Sequence, residues 1–152
     1  MDVNIDSVSM FKGFPSVEVD EAWNNVLQYR ALAVFPDELT DQESIAIEDG
    51  TGRVLVTLGV FDGLYCLDVM RRFSFREFYP DESQISPLEM MDCVDTVRQY
   101  IMCYGDISLT TYDWKRDHLL PWPNFRVDHE CRDWDGILKW AIAHRASREM
   151  LA

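Results

Sequence analysis

Two short segments share one spacing, and it constrains the fold more than any other feature of the chain. The first is Val60-Phe61-Asp62-Gly63-Leu64-Tyr65-Cys66-Leu67; the second is Glu89-Met90-Met91-Asp92-Cys93, continued by Val97-Arg98-Gln99 and Met102-Cys103. Each sets one polar residue, another three positions on, and a cysteine directly after it. On an α-helix these side chains share a face. Two such helices in contact aim Asp62, Tyr65, Glu89 and Asp92 at a common point, which is how helical proteins build metal and acid/base sites. The expectation is a pair of motif-bearing helices packed together.

Around that pair the pattern reads as mainly α, a compact helical domain with one small β-hairpin. Residues 1–18 are polar and without period, an extended N-terminal arm. From Asp20, the positions Trp23, Val26, Leu27 and Leu32 approximate a helical stripe that stops near Pro36. Ile45, Ile47, Val54 and Val56 then alternate about Asp49-Gly50-Thr51-Gly52, as in a hairpin. The first motif helix is expected from Val60 to Arg72, with Leu64, Leu67 and Val69 or Met70 inward. The second starts with unusual clarity: Ser86 as N-cap, Pro87 in the first helical position and Glu89 closing a capping box. It ends near Gly105. Residues 109–114 read as a short strand, 119–125 as loop because of Pro121 and Pro123, and about 133–148 as a last helix. A chain of 152 residues suits one domain, drawn here over 19–152.

The balance of 27 acidic against 14 basic residues gives a formal charge of −13. Such a field repels nucleic acid, whose binding depends on neutralising phosphates, and anionic membranes too. No apolar run approaches the roughly 20 residues that span a bilayer, and Met1-Asp2-Val3-Asn4 has neither the basic nor the apolar region of a signal peptide. The four cysteines are Cys66, Cys93, Cys103 and Cys131. Cys93 and Cys103 fall on one predicted helix about 15 Å apart along its axis, too far to bridge. Two pairings remain: Cys66 to Cys93 with Cys103 to Cys131, and Cys66 to Cys103 with Cys93 to Cys131. In a reducing compartment all four are instead buried thiols.

Several segments together resemble the UstYa-like family of fungal mycotoxin-biosynthesis proteins, whose hallmark is a repeated His-x-x-His-Cys motif on two helices. Besides the paired motifs these are Phe11-Lys12-Gly13-Phe14-Pro15-Ser16, Glu18-Val19-Asp20-Glu21-Ala22-Trp23, Glu48-Asp49-Gly50-Thr51-Gly52, and His129-Glu130-Cys131-Arg132-Asp133-Trp134-Asp135 with Trp140. The resemblance implies a tailoring role on a small polyketide, terpenoid or peptide precursor. For intact motifs it also implies copper-dependent oxidation and an N-terminal membrane anchor. It places the chain in the secretory-pathway lumen if such an anchor has been trimmed, and otherwise in the cytoplasm. A homo-oligomer, or a hetero-oligomer with another family member, fits the same picture.

The departure is specific. Asp62, Tyr65, Glu89 and Asp92 stand where the family has its four motif histidines. Carboxylates and phenol favour harder ions than copper, so neither metal nor other cofactor is expected at these positions. Each also has a bland reading: Glu89 as the capping box, Asp62 as an acid in a first helical turn, Tyr65 as a core aromatic. His129 is the remaining imidazole in a matching segment and serves as a general acid/base or as a structural histidine beside Cys131. Arg98, Gln99 and Arg132 are expected to bind substrate, with Arg132 and Asp133 as an ion pair in the bland version. Trp114 and Trp122, with Tyr112, Met90 and Met91, are expected to line an apolar pocket. The reading is a redox-neutral cyclisation of pericyclic type, or an isomerisation, with Asp62, Tyr65, Glu89, Asp92 and His129 as the catalytic candidates. Its rivals are a metal-dependent oxidative cyclase, dehydrogenase or halogenase centred on His129, and a non-catalytic partner of an intact family member.

Overall fold

Ser16 starts the first helix. Its hydroxyl accepts the Val19 amide at 3.3 Å, Glu18 and Asp20 sit where the helix dipole favours acids, and α1 runs Val17–Leu27. The computed structural model describes residues 8–40, 43–80, 85–116, 118–126 and 128–146. Within residues 8–16 the Trp23 indole donates to the Phe11 carbonyl at 3.1 Å, and the Phe11 ring meets that indole edge-on. The boundary drawn after residue 18 falls inside α1, and residues 1–7 lie outside the described residues.

Leu32 does not continue the α1 stripe. It opens strand β1, Leu32–Val34, all three residues buried. β1 pairs antiparallel with β2, Val54–Val56, in the register Leu32 with Val56 and Val34 with Val54. The expected hairpin about Asp49-Gly50-Thr51-Gly52 forms, and β1 is an additional partner on the opposite edge of β2. Residues 45–47 run along the other edge of β2, with a bridge between Ala46 and Val54, the Leu55 amide on the Ile45 carbonyl and the Ile47 amide on the Arg53 carbonyl, both at 2.9 Å. The turn itself forms as read, with Gly50 and Gly52 at φ 73° and 75°.

Helix α2, Gly59–Ser74, and helix α3, Pro87–Tyr104, are the motif helices, with the capping box at Ser86 and Glu89 formed. Leu67 faces solvent, whereas Phe61, Cys66, Asp68 and Val69 are buried. β3, Thr111–Asp113, pairs with β4, Trp122–Asn124. The loop expected over 119–125 is thus partly strand. Pro123, opposite Tyr112, is tolerated because both strands of a two-stranded ribbon are edges and one side needs no donor. Helix α4, Trp134–Ala143, is shorter than expected. The chain turns at His144 and lies along the free side of β1, with the Ala33 amide on the His144 carbonyl at 2.7 Å and the Ala146 amide on that of Ala31 at 3.0 Å.

The centre of the core is Leu32, Phe61 and Ala141, each 0% exposed, one from β1, one from α2 and one from α4. Trp134, Ile137 and Trp140 of α4 close over them. The described structure is therefore mainly α with two small antiparallel sheets. Among its described residues no helix is long and apolar enough to cross a membrane.

Candidate functional site

α2 and α3 lie against each other through small residues and sulfur. A disulfide joins Cys66 to Cys93 with their Cα atoms 4.8 Å apart, which selects the first of the two surviving pairings at this bond. Toward the start of α2, the Tyr100 ring rests on the backbone at Gly59 and Gly63, where an added Cβ at either glycine would meet it at 3.1 Å. Contact of position 63 with 100, and of 66 with 93, makes the helices antiparallel. Asp62 and Glu89 therefore leave the disulfide in opposite directions, about 12 Å apart along the axes at about 1.5 Å per residue. The two motif halves do not meet at one point.

Each motif side chain has a local environment instead. The Arg30 guanidinium donates to the Asp62 carboxylate at 3.1 Å and covers the Tyr65 ring at 3.8 Å from its centroid. Tyr65 is accordingly exposed rather than a core aromatic. Glu89 accepts the Ser86 amide at 2.7 Å, and Asp92 is exposed, with no hydrogen bond or ion pair among the described residues. Burial and then the Asp62 charge raise the Tyr100 phenol above its ordinary range. A copper ion of the kind implied by the resemblance does not fit these positions. The donors are oxygens, two of the carboxylates are already engaged, and among the described residues no three His, Cys, Asp or Glu side chains are arranged to hold a metal.

The substrate-binding candidates are scattered. Arg98 donates to Asp95 at 2.7 Å and touches the Met102 sulfur, while Gln99 donates to Asp95 at 2.6 Å, all on the exposed side of α3. Trp114 is 77% exposed just beyond β3. Trp122 of β4 is half-buried, its ring 4.3 Å from that of His118. Met90 packs beside the disulfide, and Met91 faces solvent. The expected ion pair of Arg132 with Asp133 is corrected: Asp133 accepts the Gly136 amide at 3.1 Å as the N-cap of α4, and Arg132 lies over the Tyr104 ring at 5.5 Å.

His129 stands apart. Its Nδ1 is hydrogen-bonded to the Asp106 carboxylate. Its Nε2 is buried and has no hydrogen-bond partner among the described residues. Asp106 is anchored from its other side, since the Ser108 hydroxyl and amide, followed by the His129 ring, hold its carboxyl down to about 2. An ionised acceptor places the proton of the neutral ring on Nδ1 and leaves the Nε2 lone pair open. Asp106 was not among the residues singled out from sequence. Its one local signal is the Asp-x-Ser turn, in which the Ser108 amide meets the carboxylate at 2.8 Å.

The family model described as mycotoxin biosynthesis protein UstYa matches residues 2–144. Among curated relatives, UstYa family oxidase aprY of Aspergillus flavus is 24% identical over 156 residues, spanning 89% of this chain and 47% of the relative. UstYa family oxidase phomYc of Diaporthe leptostromiformis is 26% identical over 154 residues, 90% of this chain and 59% of the relative. Oxidase ustYa of Aspergillus flavus is 30% identical over 95 residues, 58% of this chain and 41% of the relative. The chain thus spans about half the length of the curated relatives it matches. No solved structure matches it. Matched by the family model along nearly its whole length, the chain belongs to the UstYa family.

Proposed function

We propose that the protein is a tailoring enzyme of fungal secondary metabolism that carries out a redox-neutral cyclisation or isomerisation of a small, largely apolar precursor, with His129 moving the proton. The family model and the relatives' names support the tailoring role. The observation that carries the finer step is the Nε2 of His129, buried and with no partner among the described residues while Asp106 holds the opposite nitrogen. A base so arranged accepts a proton from an acidic carbon of the substrate, and the Asp106 anion stabilises the imidazolium that forms. The same proton returns to another atom, so substrate and product have equal mass. Positioning of the reacting atoms supplies the rest of the rate.

The relatives' printed name, oxidase, favours a second reading in which two hydrogens are removed at the same histidine. The four replaced motif imidazoles weigh against it. Deleting the gene in its producing host separates the two. Accumulation of a precursor equal in mass to the missing product supports the redox-neutral step, and a precursor heavier by two hydrogens overturns it. Turnover by the purified protein alone separates both from the non-catalytic partner, which would show none.

A further inference from the structure

We propose that Cys103 and Cys131 form a second disulfide, fastening the end of α3 to the segment that enters α4. Two independent contacts already bring these segments together: the Arg132 guanidinium over the Tyr104 ring at 5.5 Å, and Asp106 on His129. They run antiparallel, since 104 meets 132 and 106 meets 129. Cys103 directly precedes the first contact, and Cys131 lies between the two. Both thiols are exposed and unbonded. With Cys66 and Cys93 already joined and four cysteines in the chain, each has only the other as an intramolecular partner.

A chain that carries one disulfide is at home in an oxidising compartment, where exposed thiols on adjoining segments are oxidised. Bridging needs Cα atoms within about 7 Å. Residues 128–133 have no regular secondary structure, so their approach breaks no helix or sheet hydrogen bond. The oxidant is a small disulfide such as oxidised glutathione. One thiolate attacks it and releases a reduced thiol; the second thiolate then displaces the other half, so two thiols lose two protons and two electrons and the oxidant gains them. The bond would clamp His129 against Asp106, a consequence that rests on the reading of His129 above. The bond itself does not depend on it.

The test is a peptide map of the full chain exposed to oxidised glutathione, alkylated under denaturing conditions and digested with trypsin. Arg98, Lys115, Arg126 and Arg132 separate the relevant cysteines. The expected result is no alkylated cysteine and a linked pair of peptides 99–115 and 127–132. Quantitative alkylation of Cys103 and Cys131, or linkage of either to Cys66, Cys93 or a second chain, overturns the proposal. In Cys131→Ser, Cys103 should be alkylated or carry a single glutathione while the Cys66 to Cys93 link survives. A Cys103 found linked in that variant to Cys66, Cys93 or a second chain counts equally against it. The map of the parent protein decides the matter even if the variant fails to fold.

Discussion

Asp106 and Glu89 show how an acid in this chain is set by its neighbours. Both carboxyls are held below their ordinary values, Asp106 mainly by Ser108 and then His129, and Glu89 by the Ser86 amide and hydroxyl. A depressed carboxyl contributes stability above its unfolded value and loses it as the pH falls through the folded one. For Asp106 that window runs from 3.8 down to about 2. The stability difference between the parent and Asp106→Asn is therefore expected to be full above the window and to vanish below it, as read from urea midpoints across the acid range. Glu89→Ala should lower stability through the lost capping-box contact, while Asp92→Ala, exposed and unpaired among the described residues, should stay within about 0.5 kcal/mol. A larger loss of stability at Asp92 would mean that its environment has been misread. Glu89 was legible in sequence because a capping box is local. The partnership of Asp106 with His129 was not, because it joins residues 23 positions apart.

The elements divide along the same line. Both motif helices and the β-turn were legible because caps, periodicity and glycines act within a few residues. β1 was not, because Leu32 extends a helical apolar stripe just as well as it opens a strand. Only pairing with β2, and with the chain after α4, decides between the two. The shared motif site failed for a related reason. Spacing puts Asp62 and Tyr65 on one face of α2, but the antiparallel packing of α3 sets which residues oppose that face. That packing depends on Gly59 and Gly63, over which Tyr100 lies, and on the disulfide. The bond encloses 27 positions of sequence and removes enough unfolded-state entropy to be worth about 3.5 kcal/mol. Cys66→Ala and Cys93→Ala should therefore each destabilise by about that amount, and their double variant by hardly more. Additive losses in denaturant titrations would show that each sulfur acts by packing and not by the shared bond.

Across the whole molecule, one buried acid ties the ends of three segments. Asp68 of α2, only 4% exposed, accepts from Arg71 at 2.8 Å and from Arg72 at 2.9 Å. Arg71 reaches on to Asp20 of α1 at 2.7 Å and to the Tyr79 hydroxyl at 2.9 Å, and Tyr79 donates to Asp20 at 2.8 Å. Burial alone would lower the Arg71 pKa, yet the hydrogen bonds from Arg71 to Asp20, Asp68 and Tyr79 outweigh it and the charge is held more firmly than in water. None of these residues has a role in the candidate chemistry; they fix α1 to α2. Removing one partner of such a network leaves a desolvated charge behind, which costs more than the network contributes when intact. Arg71→Met should lose about 3 kcal/mol, Arg72 leaving Asp68 only partly compensated. Adding Asp68→Asn to that variant should recover part of the loss, because the stranded charge goes with it. A double variant less stable than Arg71→Met alone would place the energy in the hydrogen bonds themselves and not in the compensation of a buried charge.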